Sequence, residues 1–227
     1  MVKKAASLKV DFHVHTYYSN DSLNRIPVLL AAARKAGLDR VVITDHNSIH
    51  GALEAQRLAP DLVIVGEEVR TSAGEFLATF VSRQVPSGLD PMHALERLRE
   101  QGAFVSISHP FDPHRSGWSL EQLEQLAPLV DAIEVMNARA LSNTFNTRAA
   151  EFARAHNLPG TAGSDAHLLM EIGKATLELP EFSDTLSLKR AIQDATTLGG
   201  LSPAWVHLGS TWAKLVKKTK PREIELK

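Results

Sequence analysis

The chain has 227 residues, of which 44% are hydrophobic and 22% are charged, and its formal net charge is −1. This composition is typical of a globular protein with one sizeable core and excludes a wholly disordered chain. Cysteine is absent, which excludes disulfides, thiolate metal sites and cysteine nucleophiles, and the near-zero charge excludes a global basic field for nucleic acid.

No apolar run approaches the ~20 residues that span a bilayer, and the initial segment MVKKAASLKVDF lacks the apolar stretch of a secretory signal. The lack of cysteine fits a reducing compartment. We therefore expect a cytoplasmic protein without membrane association.

Short apolar runs alternate with amphipathic stretches along most of the chain. The runs predict strands at Leu8–Val14, Arg40–Thr44, Leu62–Val65, Phe76–Val81, Phe104–Ser108, Ala132–Met136 and Ala175–Leu179. Helices are predicted at Ile26–Ala36, Ser48–Leu58, Pro91–Gln101, Leu120–Ala127, Ser142–His156 and Ser183–Ala195. This order predicts an α/β fold, a closed or nearly closed β/α barrel with parallel strands and outer helices, with a doubly wound open sheet as the alternative.

The end of the chain departs from this alternation. Residues 199–227 contain Trp205, Trp212 and the basic stretch KLVKKTKPR at 214–222. We expect one domain over 1–227, with 199–227 a C-terminal helical and basic extension. A terminal helix with a solvated tail is favoured over a nucleic-acid patch.

The first predicted strand carries two histidines on one face. Because side chains alternate along a strand, Asp11, His13 and His15 share one face, and the intervening apolar residues share the other, where helices can cover them. Two imidazoles on one face can converge on a cation. A nearby aspartate such as Asp11 or Asp45 can orient an imidazole from behind.

The same chemistry recurs after other apolar runs. The second run ends in ITDH at His46, the third in GEE at Glu68, and the run that begins at Phe104 ends in SHP with His109. A later segment, GSDAH, contains Asp165 and His167. In a parallel β/α sheet the carboxyl ends of the strands lie on one side. We therefore expect these clusters to meet in one site.

These residues resemble the PHP family, named for polymerase and histidinol phosphatase domains. The matching motifs are DFHVHTYYSNDS (11–22), ITDHNS (43–48), VGEEV (65–69), ISHPFDPHR (107–115), IEVMNAR (133–139) and AGSDAH (162–167). The resemblance implies a distorted (β/α)7 TIM-like barrel with two or three divalent metal ions at the strand carboxyl ends.

The resemblance also implies a ligand set. It assigns His13 and His15 to one metal with Asp165 nearby, Glu68 to a bridge between two metals, His109 to the second metal, and Asp21, His46 and His167 to a third. Two positions depart from the family pattern. Many relatives place the loop aspartate where Asn20 stands here, and many have a histidine where this chain offers only Glu75. Ligation by Asp21 requires a shift of the loop, and ligation by Glu75 would supply oxygen in place of nitrogen.

The implied activity is a metal-dependent phosphoesterase that hydrolyses a phosphate monoester or short nucleotide by attack of a metal-activated hydroxide at phosphorus. Arg115 is a candidate for catalysis and phosphate binding, Arg139 and His114 are candidate substrate contacts, and His167 is a candidate acid for the leaving group. The nitrogen and oxygen donors admit Mn, Zn or Fe.

Three alternatives stay open: a nuclease that trims oligonucleotide ends, a metal amidohydrolase, and a non-catalytic module of the same fold. A nuclease would need a basic or aromatic track beside the site, for which Tyr17 and Tyr18 are candidates. The sequence does not fix the oligomeric state.

Overall fold

The computed structural model describes residues 7–115 and 117–219. Its strands are β1 Ser7–Val14, β2 Arg40–Ile43, β3 Val63–Arg70, β4 Glu75–Thr79, β5 Phe104–Ile107, β6 Ala132–Asn137, β7 Gly160–Gly163, β8 Ala175–Pro180 and β9 Thr196–Gly199. Its α-helices are α1 Ile26–Lys35, α2 His50–Leu58, α3 Pro91–Arg99, α4 Leu120–Leu126, α5 Asn143–Ala155, α6 Thr185–Ala191 and α7 Val206–Thr219.

The strands form one sheet in the order β7-β6-β5-β4-β3-β2-β1-β8-β9. The sheet curls until the segment after β7 meets the end of β1. Val14 bridges to Ala166, and the backbone amide of His15 donates to the Ala166 carbonyl over 3.1 Å. The nearly closed barrel is therefore confirmed, and the open sheet is not what forms.

The expectation of seven parallel strands is wrong in two respects. The described residues contain nine strands, and β4 runs antiparallel to both β3 and β5, as β8 does to β1. β4 reverses because only a short turn separates it from β3, whereas a parallel partner needs a long crossover. The unpredicted strands β7 (GTAG) and β9 (TTLG) are four residues long and contain glycine, so neither gives an apolar strand signal.

Several helix boundaries follow ordinary capping chemistry. The Asp90 side chain accepts from the Met92 amide at the start of α3, and Ser119 and Gln122 form a capping box at α4. Gly37 and Gly102, which follow α1 and α3, have φ values of +70° and +69°, a conformation that favours glycine.

Apolar side chains lie on both sides of the sheet. One cluster includes Val41, Val63 and Val105 with the buried faces of α1–α4. The other occupies the barrel interior near the strand starts and packs against α6; we name it the apolar layer, consisting of Val10, Phe12, Val42, Ile64, Phe104 and Ala132. A register shift in β1 between Asp11 and Val14 moves Val14 to the first cluster, so the expectation that Val10, Phe12 and Val14 share one helix-covered face is wrong.

The predicted terminal helix corresponds to α7. Residues 220–222 of the basic stretch lie outside the described residues. Across 7–115 and 117–219, no helix has the length and apolar content to cross a membrane.

Candidate metal centre

The carboxyl ends of the barrel strands hold a concentration of imidazoles and carboxylates directly above the apolar layer. All are buried except His46, whose side chain is 17% exposed. We name this set the polar layer: His13, His15, Asp21, His46, Glu68, Glu75, His109, Asp165 and His167.

The two β1 histidines face the same two acids. His13 Nε2 lies 3.4 Å from Glu68 Oε2 and 3.6 Å from Asp165 Oδ1. His15 Nε2 lies 3.4 Å and 3.3 Å from those oxygens. Both imidazoles of the HVH motif therefore lie beside the same two carboxylates, one from β3 and one from the loop after β7.

Glu68 is the central acid. Its Oε2 also lies 2.8 Å from His46 Nδ1, while its Oε1 lies 3.1 Å from His109 Nε2. Glu75 Oε2 is 3.4 Å from the same His109 nitrogen. Glu68 thus faces four imidazoles from three segments of the chain, an arrangement suited to a carboxylate shared between two ions. Glu75 lies beside the His109 imidazole.

A third group of facing side chains lies beside the loop after β1, which carries Asp21. Asp21 Oδ1 is 3.1 Å from His167 Nε2 and 3.5 Å from His46 Nε2. Asn20, at the position where many relatives carry the acid, is exposed. The loop therefore presents its acid one residue later than in the common pattern.

The donor atoms of the polar layer fit divalent cations. Seven of them are buried without a well-aligned hydrogen bond among the described residues. Six of the seven face one another across the layer: His13 Nε2, His15 Nε2, His167 Nε2, Asp21 Oδ1, Glu68 Oε2 and Asp165 Oδ1; the seventh is His109 Nδ1. Buried polar atoms ordinarily find partners, so six orphans aimed at one another indicate a bound group. Three sets have ligand atoms mutually within 4.8 Å: His15, His46 and His167; His13, His15 and Glu68; and His46, Glu68 and Glu75.

Glu134, on β6, supports this layer and was not predicted as a site residue. Its Oε1 lies 2.9 Å from His13 Nδ1, and its Oε2 accepts from the His109 amide over 2.9 Å and from Asn137 over 3.1 Å. This contact leaves His13 Nε2 free to face the acids, the usual arrangement behind a ligating histidine. The available signal was a glutamate inside the buried strand AIEVMN.

Asp45 and Asp11 both lie behind the polar layer, but only Asp45 connects to an imidazole. Asp45 accepts from Ser19 Oγ over 2.6 Å, and that hydroxyl lies 3.0 Å from His15 Nδ1. Among the described residues, the Asp11 carboxylate accepts from the amide and hydroxyl of Ser164 over 2.9 and 2.6 Å and from the amides of Gly173 and His13. None of these hydrogen bonds is to an imidazole, so they do not support the orienting role predicted for Asp11. Asp11 therefore ties β1 to the segments after β7.

Of the three predicted substrate contacts, only Arg115 touches the polar layer. Its guanidinium donates to Asp165 Oδ2 over 2.5 Å. Arg139 is buried against Glu171, 3.0 Å away, and contacts α7. His114 is exposed, and its ring faces Phe145 at 6.4 Å. These placements do not support substrate contact by Arg139 or His114.

The backbone around the site is tightly constrained. His109 and Asp165 have φ values of +24° and +52°, a region that non-glycine residues seldom adopt and that recurs at functional sites. At Gly163, a Cβ would collide with the Cβ and backbone nitrogen of His13. Glycine at this position therefore lets β7 approach His13 closely.

The protein's own electrostatics favour the ligating forms of Glu68, Asp165 and His15, whereas the neighbouring carboxylates raise the pKa values of His13, His46 and His109 against their burial. Burial opposes ionisation of Glu68 and Asp165, but neighbouring histidines, with Arg115 at Asp165, outweigh it and hold both pKa values well below the usual range. Burial and the adjacent Glu68 carboxylate raise the pKa of Glu75. Burial and adjacent imidazoles lower the pKa of His15, which favours the neutral, metal-binding ring.

Comparison with known proteins places the chain in a family. A model of the PHP domain matches residues 11–102, and a model of a PHP-associated region matches 143–197. The chain is 33% identical over 180 residues to the uncharacterised protein MJ0417 of Methanocaldococcus jannaschii, covering 78% of this chain and 72% of that one. This chain belongs to the PHP family.

Solved structures agree with that fold. A presumed metal-dependent phosphoesterase from Bifidobacterium adolescentis superposes with a TM-score of 0.58 at 20% identity, covering 73% of this chain and 90% of that one. The lesion-specific endonuclease PfuEndoQ from Pyrococcus furiosus superposes with a TM-score of 0.63 at 18% identity, covering 87% of this chain and 60% of that one. The resemblance inferred from the motifs is thus confirmed for family and fold.

Proposed function

We propose that this PHP-family protein is a metal-dependent phosphoesterase that hydrolyses a phosphate monoester or a short nucleotide. The observation that carries the proposal is the set of six buried, mutually facing donor atoms in the polar layer. A phosphoesterase among its structural relatives and the nitrogen–oxygen donor set support it. When bound, divalent ions supply Lewis acidity, a lowered pKa for water and stabilisation of negative charge on phosphoryl oxygens.

The proposed ligand set is the one that the family resemblance implies, and the short distances within the polar layer support it. His13, His15 and Asp165 would hold one ion, with Glu68 shared between it and a second ion held by His109 and Glu75. Asp21, His46 and His167 would hold a third. The set suits two or three ions of Mn, Zn or Fe, because imidazole and carboxylate donors are mixed.

Two side chains have proposed roles beyond this cage. Arg115 already pairs with Asp165 and is 20% exposed, so its remaining donors can bind a phosphate oxygen. His167 Nδ1 lies 2.7 Å from the Asp165 carbonyl, to which it can only donate. Its neutral ring then carries the lone pair on Nε2, facing Asp21, which favours a ligand over an acid for the leaving group.

The experiment is a substrate panel on protein prepared with Mn, Zn or Fe: an aryl phosphate, an aryl phosphodiester, 3′- and 5′-nucleotides, a labelled oligonucleotide and an aryl amide. We expect turnover of phosphate monoesters that chelation abolishes. The matched pair is His13→Ala, which should be inactive, and His93→Ala, which removes an exposed histidine on α3 and should match wild type. A wild-type protein that binds two ions but hydrolyses no phosphoester contradicts the proposal.

A nuclease is the second candidate, favoured by one observation at the rim. The Tyr17 and Tyr18 rings lie 4.5 Å apart in the loop that carries Asp21, and Tyr17 is 39% exposed, so it can stack on a base. The endonuclease similar in fold adds weight. Cleavage of the labelled oligonucleotide at a higher kcat/KM than the aryl phosphate and mononucleotides would favour this candidate.

A further inference from the structure

We propose that Lys214, on the C-terminal helix α7, is a phosphate-binding residue, so that α7 forms one wall of the active site. This inference rests on the proposed function and specifies how that site recognises its substrate. Helix α7 lies beyond both segments that match the family models, which end at residues 102 and 197.

Helix α7 crosses the mouth of the barrel. The Lys217 ammonium donates to the Tyr17 carbonyl over 2.5 Å, in the loop after β1. Ser210 accepts from Arg139 over 3.0 Å, after β6, and Gly209 packs so closely on Leu168, after β7, that a Cβ would lie 2.7 Å from that side chain. All three contacts are to loops at the strand carboxyl ends, where the polar layer lies.

The helix is packed firmly enough to position a side chain. Val206 and Ala213 are each 1% exposed, and the preceding segment is anchored by the Ser202 amide, which donates to the Ala138 carbonyl over 2.6 Å. Its tryptophan and leucine stripe, Trp205, Leu208, Trp212 and Leu215, lies on the opposite, exposed side. The inward side of α7 therefore combines packed apolar groups with two lysines, Lys214 and Lys217, that reach the loop after β1.

Lys214 reaches the polar layer directly. Its Nζ lies 3.4 Å from Asp21 Oδ2, while Asp21 Oδ1 faces His167 and His46. The Lys214 side chain is 56% exposed. Because an ammonium has three donors and one is directed at Asp21, the others are available to an anion in the mouth.

Lys214 and Arg115 each contact a different acid of the polar layer. Arg115 is paired with Asp165 and Lys214 with Asp21, so each acid orients its cation at the rim. A phosphate monoester dianion carries enough charge to engage both cations, whereas a diester carries one charge less. On charge, we therefore expect a preference for monoesters, with Lys214 contributing to binding rather than to bond cleavage.

The test measures affinity for inorganic phosphate by calorimetry on metal-loaded wild type, Lys214→Ala, Lys214→Arg and Lys218→Ala. Lys218 is an exposed lysine one turn further along α7 and serves as the matched control. We expect Lys214→Ala to weaken phosphate binding about tenfold, as the loss of a charge-assisted hydrogen bond implies, and the other two variants to stay within about threefold. KM for an aryl phosphate should rise in parallel with little change in kcat.

The metal content of every variant separates a role of Lys214 in phosphate binding from a role in holding Asp21 in place. Unchanged ion content with weakened phosphate binding supports the proposal. Equal phosphate affinity in Lys214→Ala and wild type overturns it, and so does loss of an ion from Lys214→Ala, since Lys214 would then act only by holding Asp21. A wild type that binds phosphate but hydrolyses no phosphoester contradicts the proposed function and leaves the Lys214 result to be judged on affinity alone.

Discussion

The interior of the barrel consists of two layers built on the same strands. β1 contributes Val10 and Phe12 to the apolar layer and His13 to the polar layer, with His15 directly after the strand, and β3 contributes Ile64 to one and Glu68 to the other. The side chains of the apolar layer are stabilised by close packing, whereas the polar layer has seven buried donor atoms without well-aligned partners, six of which face one another. One layer therefore stabilises the fold, and the other depends on a ligand to complete it.

The largest expected effect is from His13→Ala, which removes a donor from the polar layer. Activity should fall by at least about 1000-fold, because water activation and charge stabilisation by metal each account for several kcal/mol of the barrier. The metal-free variant should still fold but should melt at a lower temperature than the metal-free wild type, since the substitution removes a buried ring and the 2.9 Å contact of its Nδ1 with Glu134. Steady-state kinetics and melting curves with and without chelator check this, and substantial residual turnover would remove His13 from the site.

Phe104→Ala tests the other layer. Phe104 is 1% exposed, and deleting its ring should reduce the free energy of unfolding by about 3–5 kcal/mol through lost transfer energy and a cavity. The ion content of the protein that remains folded should equal that of wild type. Urea unfolding and elemental analysis measure the two quantities. Loss of ions from folded protein would show that the layers are not separable.

Glu134→Gln probes the support behind the polar layer. The amide keeps the shape but loses the charge that faces His13 Nδ1 over 2.9 Å, so metal affinity or activity should fall about 10–100-fold. Metal titration by calorimetry measures this effect, with Glu178→Gln at a partly exposed position of β8 as the control. Wild-type affinity in Glu134→Gln would assign His13 orientation to other contacts.

A histidine outside both layers gives the smallest expected effect. The Phe152 carbonyl and Glu124 raise the pKa of His156, at the end of α5, above its ordinary value of 6.5. Because the folded pKa is the higher one, this contribution to stability is complete below pH 6.5 and is lost as the pH rises through the folded value. His156→Gln should therefore lower the free energy of unfolding by about 0.2–1 kcal/mol at pH 5.5 and hardly at all at pH 9. Urea titrations at both pH values check the sign, and an equal loss at both would refute it.

The sequence predicted much of the polar layer because its signals are local. HVH, TDH, GEE and SDAH each follow an apolar run, and parallel strands carry such ends to one mouth. The family resemblance supplied the ligand assignments, which stay predictions. Placement of Asp21 rather than Asn20 toward His167 depends on the loop conformation, which the spacing alone left open.

The remaining features depend on tertiary contacts that no local pattern encodes. The hairpin that reverses β4 and the four-residue strands β7 and β9 are defined by pairing rather than by propensity. In the sequence, Glu134 is only a charged residue within an apolar strand, and its role is visible only from its contact with His13. Likewise, the sequence of the basic stretch after Trp212 is typical of a solvated tail, and only the tertiary structure shows that α7 crosses the mouth of the barrel.

Diffraction from crystals of the metal-loaded protein, recorded at the absorption edge of the bound metal, tests the central claim most directly. The account predicts at least two anomalous peaks inside the polar layer, with Glu68 between them and His13, His109 and Asp165 among the contacts. Anomalous peaks found only at the surface, or a loaded crystal whose polar layer holds no ion, would contradict it.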